Sequence, residues 1–80
     1  MNNELGWKII RTAFKCGHEL QTLLQPLKTN CAPGEYREYA VAIAAATDAI
    51  NVQLIDRVQR ARPELRQKIE SDLAKFGHIN

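Results

Sequence analysis

Eighty residues form one small domain, residues 1–80, too short for a second. Ala, Leu, Gln, Glu, Lys and Arg dominate, with four Gly and three Pro, and 45% of residues are hydrophobic; this favours helix and excludes wholesale disorder. The net charge of +2 is uninformative as a total, because segments 1–34, 35–56 and 57–80 carry +2, −3 and +3 respectively.

A chain this small buries only about 60% of its unfolded surface, so it leans on disulfides, metals or oligomerisation for stability. Glu4, Lys8, Arg11 and Lys15 interrupt any secretory apolar stretch. The nearly uncharged run Tyr39 to Thr47 is far short of the roughly 20 residues that span a bilayer. A soluble, cytoplasmic chain is expected, with no membrane contact. Cys16 sits mid-helix and Cys31 in the following loop, too far along the chain's path to bridge; both are expected as free thiols, with Cys16 a small core residue.

The first helix is predicted over about 3–24. Leu5, Ile9, Ala13, Cys16, Leu20 and Leu23 recur every three or four positions. Trp7, Ile10, Phe14 and Leu24 widen that band to about half the circumference, more than one neighbouring helix needs. This helix should touch two others. Gly17, inside the band, suggests close approach of the Ala-rich stretch. Pro26 pushes Gln25 out of helical geometry, so a connection is expected over about 25–32.

The second helix is predicted over about 33–62, with Pro33 in its first turn. It carries two opposed seams. Tyr36, Ala40, Ile43, Thr47, Ile50, Leu54, Val58 and Ala61 form one; Val41, Ala45, Asp48, Val52 and Ile55 form the other. A helix with two seams is buried on two sides.

No cap residue or Gly marks the Arg62-Pro63 step, and the apolar phase continues through Leu65, Ile69, Leu73 and Phe76. A kink or tight break at Pro63 is therefore expected, with a last helix over about 63–76 that does not reverse and Gly77 as its cap. The fold class is all-α: an antiparallel helical hairpin with a kinked C-terminal extension, two to three helices in all, completing a bundle by dimerisation. The competing arrangement is a three-helix monomer whose last segment folds back.

Chemistry is sparse. Cys16 and His18 point about 200° apart on a helix and cannot cooperate. No HExxH, paired CxxC, serine elbow or phosphate loop is present, so no catalytic residue, metal or cofactor is expected and the chain is not read as an enzyme. Asp48, if buried in its seam, needs a partner; it either contacts a ligand or fixes the register of a dimer, and the second is preferred. Thr47 is expected to bond a carbonyl one turn back. Tyr36 should close the end of the core and Tyr39 its edge.

Arg57, Arg60, Arg62, Arg66 and Lys68 oppose Glu64 alone and form a candidate partner or nucleic-acid contact. They fall on two flanks of the apolar band, which is the pattern of a solvated rim. The expected function is a small helical interaction protein, an adaptor, chaperone-like factor or inhibitor. It self-associates through Val41, Ala45, Asp48, Val52 and Ile55 and binds a macromolecular partner, a protein by preference. A nucleic-acid-associated regulator using segment 57–68 is the alternative.

Overall fold

The computed structural model describes residues 1–79, and every regular element among them is helical. Helix α1 spans Asn3–Gln21. Its start is fixed by Asn2, whose extended backbone turns the side-chain oxygen to accept the Leu5 N–H at 2.8 Å. Thr22 and Leu23 interrupt the helix, and the Thr22 hydroxyl donates to the Glu19 carbonyl at 2.6 Å.

Helix resumes as α2, Leu24–Asn30, so the expected connection over 25–32 shrinks to Cys31 and Ala32. Pro26 lies in the first turn of α2. There the missing N–H has no helical acceptor to lose, so proline is accommodated in this helix and does not end α1. At the far end Thr29 donates to the Gln25 carbonyl at 3.0 Å and Asn30 to the Pro26 carbonyl at 2.8 Å.

Helix α3, Pro33–Ile50, begins on Pro33 as expected. It passes through one π-helical turn, Asn51–Ile55, into α4, Asp56–Ala61. The 33–61 rod is continuous, but the π turn adds a residue to one turn and rotates everything beyond it. Before the turn the first seam faces inward: Ile43 is buried, and Tyr36, Ala40, Thr47 and Ile50 are half-buried. At the turn the pattern slips by one. Ile55 is 6% exposed and Leu54 is 45% exposed, the reverse of their seam assignments. Beyond it Val58 returns to the core.

Helix α5, Leu65–Phe76, folds back, contrary to an extension that does not reverse. Its Leu65 and Ile69 enter one cluster with Trp7, Ile10 and Val58. Down the molecule Lys68 covers Trp7, and Leu73, Gly77 and Ile79 line a hollow with Phe14 and His18, so α5 runs parallel to α1. The reversal is made without a cap residue or glycine. Proline bars Arg62 from helical geometry (φ −136°, ψ 76°), and the Arg62 and Pro63 carbonyls accept the Leu65 and Arg66 N–H groups at 3.1 Å. The Arg62 guanidinium then binds the Met1 carbonyl, Nε donating at 2.8 Å, and ties the turn to the N-terminus. Gly77 ends α5 in the left-handed region (φ 72°), its N–H reaching the Leu73 carbonyl at 2.9 Å.

Helix α1 therefore touches two neighbours, the 33–61 rod running antiparallel to it and α5, as its wide band implied. Three helices surround Ile10, which is fully buried, at one end. At the other end α2 and the start of α3 form a two-helix arm with no third layer, and α2 buries no residue. The result is elongated, 45 × 25 × 15 Å. Its radius of gyration is 14.9 Å. A compact chain of this length has about 12 Å.

Candidate functional site

The open construction leaves apolar surface on two sides of the long rod. One is a groove of about 430 Å³ between α1 and the π turn, walled by Leu5, Ile9, Ala13, Cys16, Ile50 and Leu54, with Lys8 and Thr12 at its rim. Leu5 is 50% exposed here. Cys16, expected in the core, is exposed, because α3 docks on Ala13 and Gly17 and nothing covers the next strip of α1. The α1 wall of this groove follows the apolar repeat Leu5, Ile9, Ala13 and Cys16, read in the sequence as core, and the π turn that supplies Leu54 has no sequence signature.

The other surface is the outer row of α3. Val41 is 64% exposed, and Ala45, Asp48 and Val52 are exposed beside it. Ile55 leaves this set, since the π turn carries it into the core. Asp48 is in water, so its carboxylate needs no buried partner within the chain. It borders a hollow with Gln21, Leu24 and Asn51. Thr47 bonds the Ile43 carbonyl at 2.9 Å, as expected. Tyr36 is half-buried and Tyr39 exposed.

The basic residues do not converge. Arg62 is engaged with the Met1 carbonyl and stands 3.9 Å from Glu64. Lys68 places its ammonium 4.3 Å from the centroid of the Trp7 ring, a cation–π contact that shields the core tryptophan. Arg66 faces Glu70 at 3.9 Å one turn on. Arg57 folds back onto its own helix, Nε donating to the Gln53 carbonyl at 3.1 Å. Arg60 is exposed. The cluster is thus divided among a turn clamp, a ring cover and local helix pairs.

Cys31 sits at the mouth of α3 in a second apolar hollow with Tyr36, Ala40, Val41, Lys28 and Arg37. The Glu35 carboxylate accepts a hydrogen bond from its thiol and, with partial desolvation and its negative charge, pushes the thiol's pKa up. A raised pKa withholds the thiolate, so this cysteine is a poor nucleophile at neutral pH. Cys16 and His18 are both exposed. Among the described residues no group of His, Cys, Asp and Glu side chains is placed to hold a metal ion. Among them, too, no helix is long and apolar enough to cross a membrane.

No family model, curated protein or solved structure matches the chain.

Proposed function

We propose that this protein is a non-enzymatic helical interaction module, an adaptor, chaperone-like factor or inhibitor, that self-associates and holds a partner protein. The observation that carries the reading is surface area. The chain exposes 5919 Å². A compact monomer of this mass exposes roughly 4,900 Å², about 1,000 Å² less. Large apolar side chains are among those left exposed, including Leu5, Tyr39, Val41, Val52 and Leu54. Exposed apolar area that forms contiguous faces favours association. Two separate faces, the α1 groove and the α3 row, suit two contacts, one with a second copy and one with a partner.

Sedimentation equilibrium of the full chain tests this directly. The expected mass is a multiple of 9.1 kDa at micromolar concentration. A single-chain mass throughout the range would sink the self-association reading. The nucleic-acid alternative has a weaker basis, because only Arg57 and Arg60 of the five lie outside the turn clamp, the ring cover and the Arg66–Glu70 pair. Retention on a DNA column at low salt, lost on replacing Arg57 and Arg60 by Gln, would put that alternative first.

A further inference from the structure

Helix α1 carries a second pattern, and it is one of charge. Lys8, Arg11, Lys15 and His18 follow one another at intervals of three, four and three residues, within about a quarter of the helix circumference and over about 15 Å of its length. All four are exposed. Among the described residues none of their side chains makes a hydrogen bond or an ion pair. Arg62, Arg66 and Lys68, by contrast, are taken up by the turn clamp, by Glu70 and by Trp7. Like charges three and four residues apart repel and weaken a helix, so the row is a cost to the isolated fold.

The row runs past two hollows that share Arg11. One lies toward the start of α1 and has Lys8, Lys68 and Glu4 in its lining; the other lies between α1 and the end of α5. The second, of about 620 Å³, brings His78 to Arg11, Lys15 and His18 around an apolar floor of Phe14, Leu73 and Ile79, with no acidic side chain in its lining. Phe14 and Ile79 are half-buried, and Leu73 is 43% exposed.

Beyond the two apolar faces, we propose that this row and its hollow dock an acidic, amphipathic helix of a partner protein. Charge complementarity sets the first requirement: Asp or Glu at the same three- and four-residue spacing lies opposite Lys8, Arg11, Lys15 and His18. The apolar floor sets the second: a Leu or Phe on the flank of those acids enters the hollow beside them. One helix laid along α1 meets both. A nucleic acid meets only the first, since beside the row Trp7 is covered by Lys68 and Phe14 is half-buried, leaving no open ring for a base to stack on. A bilayer surface is flat and does not reach the floor of the hollow.

The experiment titrates the full chain into a labelled synthetic helix in which Glu recurs at alternating three- and four-residue intervals beside a flank of Leu and Phe. Its twin carries Gln for every Glu. The acidic peptide is expected to bind at least about tenfold more tightly than the twin and to weaken as salt rises. Arg11→Gln with Lys15→Gln costs about tenfold or more, whereas Arg57→Gln with Arg60→Gln, the same loss of charge on another face, changes the affinity less than about twofold. Leu73→Gln weakens binding about threefold or more and leaves the salt dependence unchanged. All these positions are exposed, and circular dichroism checks that each variant keeps its helix content. Equal affinity for the peptide and its twin overturns the proposal, and so do equal losses from the two double variants, which would mean that net charge alone attracts the peptide. A single-stranded oligonucleotide or a phosphatidylserine vesicle that binds more tightly than the peptide, and is lost with Arg11→Gln and Lys15→Gln, overturns the acidic-protein assignment. None of these outcomes alters the sedimenting mass, so self-association stands or falls separately.

Discussion

Gly6 and Gly17 look alike in sequence, and their surroundings give them opposite roles. A Cβ at Gly6 would stand 2.9 Å from the Leu65 side chain and 3.3 Å from a Val58 methyl, both in the packed end of the core. A Cβ at Gly17 meets only Thr47, at an ordinary 3.8 Å. Gly17→Ala should therefore stabilise the fold by about 0.5–1 kcal/mol, the helix-propensity gain. At Gly6 the crowding of a stiff valine outweighs that gain, and Gly6→Ala should destabilise by about 1 kcal/mol. Paired urea melts read the two signs, and equal shifts of the midpoint would contradict the packing described. The Cys31 thiol offers a second test at this scale. Glu35 raises its pKa, so the thiolate fraction at pH 8 is below that of an ordinary cysteine. Glu35→Gln removes both the carboxylate acceptor and the charge, lowers that pKa, and should speed alkylation of Cys31 in a Cys16→Ser background. The advantage is largest below the pKa and vanishes at high pH, where both forms are fully ionised. A rate unaffected by the substitution would remove Glu35 from the thiol's environment.

At the scale of elements, the π turn decides which residues of the long rod are structural. A regular helix carries the seam from Ile50 to Leu54 and Val58. In the folded chain Ile55 enters the core and Leu54 lies at the groove. Ile55→Ala should then cost about 2–4 kcal/mol, the price of a buried cavity, while Leu54→Ala costs under about 1 kcal/mol in the dissociated chain. Chemical denaturation at low protein concentration measures both, and the reverse order would restore the regular seam. The helical class, the hairpin, the Pro33 start, the Gly77 cap and the two neighbours of α1 were legible, because each rests on local periodicity or on a residue with one strong backbone preference. What was not legible depends on where a helix restarts, on contacts between distant residues, or on how many neighbours a face receives. Pro26 reads as a terminator until Leu23 and Leu24 begin a new helix that places it in the first turn. The reversal at Pro63 has no local signal because Arg62 secures it through the Met1 carbonyl, 61 residues away along the chain. Cys16 follows the apolar period faithfully and is nevertheless uncovered, since period alone does not say how many neighbours a face receives.

For the molecule as a whole, stability and assembly are one question. One end has three helices and a cluster of five buried residues; the other is a two-helix arm whose α2 buries none. A small chain folded this openly exposes apolar surface that a compact domain would use for its own stability. If a second copy covers that surface, each chain gains the burial only when paired, and mass action couples the folded fraction to concentration. The melting temperature should then rise with protein concentration, with the native dimer favoured at the top of the range. Scanning calorimetry over a hundredfold dilution, about 2.7 kcal/mol in RT ln terms, is sufficient to resolve the rise. A melting point independent of concentration would mean that the three-helix end alone supports the fold, and the uncovered faces would then carry no stability.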